Sequence, residues 1–440
     1  MKNNHVLIYI TLVLILIACN RNNKTNESSL TNEEQSELEN FIPQEAKVKI
    51  YFENTLSMDG YINGNTDFKN VLRELLVAVD NEDKVNFDTE FFLVNNKLIK
   101  ENFGGESIKI TEKLNPKSTA NKGNKGSSDF EEIIDKVLRN HTEDDITIIT
   151  ADFIYSPKGE PDTPSALSKL KTYTENAFLK ATSDYDNLQT RIYWFESSFN
   201  GSYYNIDDKG ILGINNRPYY YFVVATSSLM KHFEQNIGAK LKKNDSYQSD
   251  AFFTTENFDI SYNILNSTAA NGKLRVNNNG LKIHGYPKQG NLQFTVLLNL
   301  KNVPLSNDFL KNPKNYTINN PNFYINKIGV VQNRDIIFDD MTSTKITGAD
   351  YIPIKNQNFT HAIQFETKGM VKEDLKFSLK KKIPTWVENI HSENDRNILS
   401  DSLEQNKTFG FLKLVEGISD AYINRSSDEY YFNIEISIEK

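Results

Sequence analysis

The sequence predicts a three-layer α/β domain followed by a β-sandwich-like domain, and two features of its pattern support this. Over the first half of the chain, apolar strand-like runs alternate with segments whose apolar residues recur at helical spacing. This alternation is typical of a parallel or mostly parallel sheet that helices cover on both faces. Beyond about residue 240, short runs alternate apolar with polar residues between Asn and Gly turns, which is typical of a β-sandwich.

We place the α/β domain at residues 46–240. Its first strand is the run KVKIYF, and the helix that follows has Thr66 or Asp67 as its cap. The later segments continue the alternation: strands in NFDTEFFLV and KLIK, a loop rich in Lys, Gly and Ser over 114–128, a helix from Phe130, a strand in DDITIITADF, a helix over 163–182, strands in TRIYWFES and RPYYYFVVA, and a helix in SSLMKHFEQNI.

The β-sandwich-like domain is placed at residues 241–385, where runs such as NLQFTVLLNL and EDLKFSLKKK have strand character. Residues 386–440 form a C-terminal segment of mixed helix and strand. Its first part has a partly helical pattern, and EYYFNIEISIE predicts a final strand.

Composition narrows the class of protein. The chain has 440 residues and a net charge of -8. Because nucleic-acid binding relies on basic patches, we expect no nucleic-acid partner. The single cysteine excludes a disulfide within the chain and a thiolate zinc cluster.

The N-terminus predicts how the protein is located. Lys2 precedes an apolar run over 6–18, which is shorter than the roughly 20 residues of a transmembrane helix. The run ends in Leu-Ile-Ala-Cys19, which resembles the lipobox of bacterial lipoproteins. The resemblance implies a signal peptide over 1–18, cleavage before Cys19 and lipidation of Cys19. The alternative is a plain secretory cleavage site beside a stray buried cysteine.

The lipidated residue would anchor the protein to a membrane. Several acyl chains anchor stably, since each buried methylene contributes about 0.8 kcal/mol. Residues 19–45 are polar with almost no aromatic residues, so we expect a lipidated tether. The expected location is the cell envelope, on its periplasmic face or at the cell surface, with the membrane and leaflet left open.

A candidate metal site follows the first strand. Glu53, Thr55 and Ser57 stand at every second position after KVKIYF, and Asp152 ends another predicted strand. In α/β sheets ligands bind beyond the carboxyl ends of the strands, so we expect these side chains at one edge. Ser128, at the start of a predicted helix, adds a hydroxyl. Oxygen ligands of this kind suit Mg²⁺ or Ca²⁺.

This arrangement resembles the von Willebrand factor type A domain and its metal-ion-dependent adhesion site. That family has D-x-S-x-S after its first strand, a Thr in a second loop and an Asp after a later strand, often within T-D-G. Here the first motif is ENTLS at 53–57, followed by Met58, Gly60 and Tyr61, and the last is TAD at 150–152. The resemblance covers residues 46–240. It implies a Rossmann-like fold and a cation that receives an acidic group from a partner.

The sequence also departs from that family. Glu53 stands in place of Asp, Ser128 is the nearest substitute for the second-loop Thr, and Phe153 stands where Gly is usual. These departures leave open whether the site binds metal or only the fold is kept.

Simpler roles remain for the same residues. Thr55 and Ser57 can cap the end of a strand, and Ser128 with Glu131 fits a capping box. Asp59 fits a turn before Gly60. The loop lysines fit either a solvated loop or contacts to an anionic partner: Lys117, Lys122 and Lys125.

This pattern favours a membrane-anchored binding or adhesion module that binds a protein or a glycan and has no catalytic activity. A metal-assisted hydrolase that uses Ser57 at the same edge is the alternative, as is a non-catalytic structural subunit of an envelope complex. The sequence contains no H-E-x-x-H, G-x-S-x-G or phosphate-loop motif.

Overall fold

The computed structural model describes residues 43–102, 106–126, 129–155, 162–266, 273–277, 281–286, 291–367, 373–400 and 403–439. The predicted signal peptide, Cys19 and nearly all of the predicted tether lie outside the described residues, and so does Ser128. What the sequence predicts for them stays a prediction.

The first part of the chain forms a seven-stranded sheet. The strands in this part of the chain are β1 (Glu45–Glu53), β2 (Asn86–Val94), β3 (Leu98–Glu101), β4 (Asp145–Ala151), β5 (Leu188–Ser198), β6 (Tyr203–Tyr204), β7 (Gly210–Ile211), β8 (Asn216–Thr226) and β9 (Tyr247–Thr254). β6 and β7 form a separate two-stranded ribbon, and the other seven strands form the sheet. The strand order in the sheet is β3-β2-β1-β4-β8-β5-β9. β9 lies beyond residue 240 in the chain and still belongs to this sheet.

The pairing directions correct the expectation of a mostly parallel sheet. β1 pairs in parallel with β2 and with β4, whereas the other neighbouring strands of this sheet pair antiparallel. The reason lies in the connection between β5 and β8, which runs over residues 199–215 without a helix. A parallel pair usually has a helix in its crossover, and this connection has none; β5 and β8 pair antiparallel, and β8 enters the sheet beside β4.

Helices cover both faces of this sheet. They are α1 (Asp59–Ile62), α2 (Asp67–Asp80), α3 (Lys109–Lys113), α4 (Pro116–Thr119), α5 (Phe130–Arg139), α6 (Thr163–Asp184), α7 (Ser227–Phe233) and α8 (Ala239–Leu241), with a π-helix at Glu234–Gly238. Ile50 and Ile148 pack with α2 and α7 in one core, and Tyr51 and Ile149 pack with α5 and α6 in another. An α/β domain is therefore present, and its sheet is mixed.

The later part of the chain is strand-rich. Its strands are β10 (Tyr262–Leu265), β11 (Lys273–Val276), β12 (Lys282–Tyr286), β13 (Gln293–Leu298), β14 (Tyr316–Ile318), β15 (Phe323–Gln332), β16 (Asp335–Phe338), β17 (Ser343–Lys345), β18 (His361–Thr367), β19 (Leu375–Lys380), β20 (His391–Ser392), β21 (Thr408–Phe409) and β22 (Tyr430–Glu439). Its helices are α9 (Asn307–Lys311), α10 (Gly348–Ile354), α11 (Thr385–Asn389) and α12 (Phe411–Arg425), with 3-10 turns at Pro313–Asn315 and Glu404–Asn406.

Two sheets dominate this region. One has the order β10-β13-β18-β15-β16-β17 and the other the order β11-β12-β22-β19-β14, while β20 and β21 form a separate pair. The rings of Phe365 on β18 and Phe377 on β19 lie 4.9 Å apart, so the two sheets contact each other through apolar side chains.

The C-terminal segment contributes to both parts. α12 packs along α6 in the core on the α5–α6 face of the first sheet, whereas β22 pairs with β12 and β19. A Cβ atom at Gly417 of α12 would lie 2.5 Å from the carbonyl oxygen of Lys171 and 2.9 Å from the Cβ of Thr174. The two helices approach this closely only because residue 417 has no side chain. Residues 42–440 accordingly form one compact unit.

Gly417→Ala is expected to lower the free energy of unfolding by about 1–3 kcal/mol, because overpacking outweighs the better helix propensity of alanine. Urea unfolding of the two proteins measures the difference. The control is Gly348→Ala at the start of α10, where an added Cβ meets no atom within 4 Å. A Gly417→Ala variant as stable as the parent would contradict the close contact between α12 and α6.

Candidate functional site

The candidate site lies at the edge of the first sheet where β1 and β4 end. The register of this parallel pair places Phe52 beside Thr150, so the residues after both strands meet at one edge. Glu53, Thr55, Ser57 and Asp152 are all buried there. The sequence-based expectation that these four residues share one edge therefore agrees with the pairing of the strands.

Hydrogen bonds connect three of these side chains. The hydroxyl oxygens of Thr55 and Ser57 lie 3.0 Å apart, and the Ser57 hydroxyl bonds to the carboxylate of Asp152. Asp152 Oδ1 accepts the backbone N–H of Ile154 at 3.2 Å. Asp152 Oδ2 is buried and, among the described residues, no donor lies in ordinary hydrogen-bond geometry to it. Glu53 lies at the last paired position of β1, beside Val94.

The carboxyl group of Asp152 has an unusual acidity. Burial raises the pKa of Asp152 to about 6, although the N–H of Ile154, the Ser57 hydroxyl and the Arg217 guanidinium each lower it. Removing water from a carboxylate disfavours its charged form unless a compensating charge or donor is supplied. Asp152 is therefore a carboxylate that an added positive charge would stabilise.

These oxygen atoms fit the requirements of a small hard cation. Mg²⁺ binds oxygen at about 2.0–2.1 Å in an octahedron, so adjacent ligand oxygens lie about 3 Å apart. The 3.0 Å between the hydroxyl oxygens of Thr55 and Ser57 matches this separation. The Oδ2 of Asp152, buried and without a partner among the described residues, supplies a further acceptor at the same edge. The donor set of two hydroxyls and two carboxylates is thus chemically suited to Mg²⁺ or Ca²⁺.

Metal sites built only from His, Cys, Asp and Glu side chains are a separate case. No group of three or more such residues is placed to hold a metal ion within the part of the chain that the structure describes. The predicted ligand set contains two of these residue types, Glu53 and Asp152, and its other ligands would be hydroxyls.

Phe153 takes a backbone conformation that favours glycine. Its φ of 50° lies in the left-handed region, which costs an L-residue with a side chain about 1–2 kcal/mol. Its ring stacks on Phe222 at 4.0 Å and on Phe130 at 5.1 Å between centroids. The turn after Asp152 is therefore kept by core packing, without the glycine.

The helix caps observed near this edge differ from those that the sequence predicts. Helix α5 is capped by Asp129, whose side chain accepts the N–H of Glu132; Ser128 of the predicted capping box lies outside the described residues. Helix α1, which begins at Asp59, has no side-chain cap, so the hydroxyls of Thr55 and Ser57 do not serve as one.

The lysine-rich loop packs against the edge and is only partly solvated. The side chain of Asn54 donates to the carbonyl oxygens of Thr119 and Lys122. Lys125 is mostly buried and forms an ion pair with Asp59. Burial raises the pKa of Asp59, and Lys125 opposes this rise. Of the three loop lysines, Lys117 is exposed, Lys122 pairs with Glu101, and Lys125 is part of the edge structure.

Glycine is required at position 60, shortly after the ENTLS motif, because the connection 199–215 approaches its backbone closely. A Cβ at Gly60 would lie 2.3 Å from the ring of Phe199, and Asn200 donates its N–H to the Gly60 carbonyl. The Phe199 ring also packs edge-on against Tyr61 at 5.0 Å. The connection after β5 thus packs directly against the turn that contains Thr55 and Ser57.

The sequence analysis missed Arg217 at this edge. Arg217 is fully buried near the start of β8 and lies beneath a cluster of tyrosines. Its guanidinium packs over the ring of Tyr203 at 4.6 Å and donates to the carbonyl of Gln405. In the sequence, the sign of a buried cation at this position is Arg217 itself, a single basic residue just before the apolar run PYYYFVV. The same pattern also fits a solvated strand end.

The C-terminal segment reaches the same edge. Asp395 accepts hydrogen bonds from the Tyr203 hydroxyl at 2.5 Å and from the Ile206 N–H at 2.9 Å. The hydroxyls of Tyr220 and Thr408 lie 2.8 Å apart. Residues more than 180 positions away in sequence therefore complete the buried surroundings of Arg217.

Comparisons with known proteins add little to this description. No protein-family model matches the chain, and no curated protein matches it. Among solved structures, the chain is similar to an aerotolerance-related membrane protein from Bacteroides fragilis, crystallised with multiple mutations to serines. The two share 12% identity at a TM-score of 0.20, over 32% of this chain and 63% of that chain. The match spans less than two thirds of that protein, and a TM-score this low carries no argument about fold or function.

Among the described residues, no helix combines the length and the apolar character that a membrane span requires.

Proposed function

We propose that this protein is a non-enzymatic binding module of the cell envelope whose edge formed by Thr55, Ser57 and Asp152 holds a divalent cation. The observation that carries the proposal is the hydrogen-bonded set of hydroxyls around a buried carboxylate whose Oδ2 lacks a partner among the described residues. Leaving such an oxygen buried without a donor or a cation is costly, which supports a bound ion.

The residues that would hold the cation are Asp152, Ser57 and Thr55, with Glu53 at the same edge and Ser128 as a further candidate. The preferred ions are Mg²⁺ or Ca²⁺, because all of these ligands are oxygens. When bound, the ion would supply a positive charge to which an acidic group of a partner can bind. The resemblance of residues 53–61 and 150–152 to the type A domain supports the same use.

The envelope location rests on the lipobox ending in Cys19 and on the polar segment 19–45. We propose that lipidated Cys19 anchors the protein to a membrane and that the folded unit is presented on this tether. The partner would be a protein or a glycan outside the cytoplasm. The net charge of -8 supports a partner other than nucleic acid.

Asp152→Asn is expected to weaken Mg²⁺ or Mn²⁺ binding at least about tenfold, because the amide keeps the size of the side chain and removes its charge. Isothermal titration calorimetry of the full chain in detergent measures the dissociation constants. The matched control is Asp145→Asn, a buried carboxylate at the amino end of β4, the end of that strand away from the ligand set. Absence of binding at millimolar ion, or equal binding by the Asp152→Asn variant, would contradict the proposal.

A hydrolase is the second candidate, and one contact favours it. The Ser57 hydroxyl bonds to Asp152, whose pKa of about 6 suits a general base near neutral pH. Activity on a panel of ester and phosphoester substrates that is lost in Ser57→Ala would favour the hydrolase over the binding module. A structural subunit without ligand binding would show neither activity nor cation binding.

A further inference from the structure

The position of Arg217 relative to Asp152 follows from the pairing of β4 with β8. Ala151 pairs with Tyr220, so continuing the register by one residue sets Asp152 opposite Tyr219. Arg217 is two residues nearer the start of β8 than Tyr219 and is therefore a diagonal neighbour of Asp152, at a separation that long side chains span. The insertion of the antiparallel strand β8 beside β4 is what brings this basic residue to the edge.

The guanidinium of Arg217 is incompletely paired. It is fully buried, it donates from Nη1 to the carbonyl of Gln405, and it also makes a side-chain hydrogen bond with Tyr61. Nε and Nη2 are buried and have no hydrogen-bond partner within the described part of the chain. Arg217 also has no ion pair within 4.0 Å among the described residues, although its charge and that of Asp152 act on each other.

A buried charge without a partner is strongly unfavourable, so the two groups stabilise each other across the space between them. Counting partners among the described residues only, Asp152 has an unpaired acceptor and Arg217 has unpaired donors at the same edge. A divalent cation bound by Asp152 would meet the positive charge of Arg217 at short range in surroundings that screen charge poorly.

We propose that Arg217 is the internal counter-cation of this edge and competes with a divalent cation for the charge of Asp152. The guanidinium offsets part of the cost of the buried carboxylate and thereby lowers the affinity of the edge for metal. The C-terminal segment holds Arg217 in position. The carbonyl of Gln405 accepts a hydrogen bond from Arg217, and Asp395 accepts one from Tyr203, whose ring packs against the guanidinium. This inference rests on the proposed function for its ligand, the cation, and adds the residue that controls its affinity.

The test is the affinity for Mn²⁺ of the full chain and of charge variants of residue 217. Arg217→Gln removes the charge and keeps an amide donor for the Gln405 carbonyl. We expect it to bind Mn²⁺ at least about tenfold more tightly, because a like charge is removed at close range. Arg217→Lys keeps the charge and is expected to bind within about threefold of the parent.

A matched control comes from the other end of the sheet. Lys49 is a buried cation on β1 that pairs with Asp145 at the amino end of β4. The seven residue steps from Asp145 to Asp152 correspond to about 23 Å of extended strand, so Lys49→Met is expected to leave the Mn²⁺ affinity unchanged. Near-UV circular dichroism checks the fold of each variant, and Arg217→Met replaces Arg217→Gln if the latter does not fold.

The outcomes separate this inference from the proposed function. If Arg217→Gln binds Mn²⁺ more tightly than the parent and Arg217→Lys does not, the inference is supported, even where the parent shows no binding and the proposed cation-dependent function fails. If the parent and Arg217→Gln bind equally, the inference is overturned and the proposed function stands. If neither binds, both are overturned.

Discussion

Phe153→Gly is expected to destabilise the protein less than Phe153→Ala, although it removes one more carbon atom. Phe153 is buried between Phe130 and Phe222, and truncating such a ring costs about 3–5 kcal/mol. Its φ of 50° is strained for alanine but not for glycine. We therefore expect Phe153→Ala to lose about 3–5 kcal/mol and Phe153→Gly about 1 kcal/mol less.

The control for this comparison is Phe222, a buried residue within β8. In a strand of ordinary conformation glycine costs about 0.5–1 kcal/mol more than alanine, so the order of the two variants should be reversed there. Urea unfolding of all four variants provides the free energies. If glycine were worse than alanine at both positions, the left-handed turn after Asp152 would be contradicted.

Asp250→Ala is expected to lower the free energy of unfolding by about 3–5 kcal/mol, because it leaves Arg191 buried without its closest partner. Asp250 on β9 is buried and accepts from Arg191 and from the Tyr247 hydroxyl, and Lys242 lies 3.4 Å away. Glu234 is the other acidic partner of Arg191, at 3.1 Å. Through Arg191 on β5, these ion pairs connect the edge strand β9, which contains Asp250, to β5 and to the π-helix, which contains Glu234.

The same network predicts a dependence on pH. Burial alone would raise the pKa of Asp250, but Arg191, Lys242 and Tyr247 together lower it below its ordinary value. A carboxyl group with a lowered pKa stabilises the fold above the pKa of the unfolded chain, which is about 3.9. This stabilisation is lost as the pH falls further, through the lowered pKa of the folded state. The stability difference between the parent and Asp250→Ala should therefore shrink below about pH 4.

An exposed ion pair provides the control for Asp250. Asp340 pairs with Lys327 on the surface of the strand-rich region, where water screens the interaction. Asp340→Ala should leave the urea midpoint at neutral pH unchanged. Equal effects of Asp250→Ala and Asp340→Ala would contradict the role of the buried network.

The sequence predicted the part of the site that depends on parallel neighbours. Thr55 and Ser57 follow β1, Asp152 follows β4, and parallel strands end at the same edge, so their meeting could be expected. The alternation of apolar segments also predicted helices on both faces of the sheet, and a helix over 163–182 corresponds to the observed α6 at Thr163–Asp184.

The sequence could not predict Arg217 at this edge, because an apolar run gives no information on strand direction. If β8 had been parallel to β4, its first residues would lie at the opposite end of the sheet. The pattern likewise did not show that α12 covers the first sheet while β22 joins a sheet of the strand-rich region. Both contacts join residues far apart in the chain, and local periodicity does not report such contacts.

The lysine loop illustrates another limit of sequence patterns. Its composition is that of a solvated loop, and Lys117 fits that description. Lys125 is held against the edge by Asp59, and its backbone carbonyl accepts the N–H of Leu56. Composition does not distinguish a charged residue in water from one that is paired with a buried partner.

The most direct test of the central claim, that this edge holds a divalent cation, is the anomalous X-ray scattering of Mn²⁺ in crystals of the full-length protein. The account predicts one strong anomalous peak within bonding distance of the Ser57 hydroxyl and the Asp152 carboxylate, and its loss in Asp152→Asn crystals. Mn²⁺-soaked crystals with no peak at this edge, or with the same peak in Asp152→Asn, would contradict it.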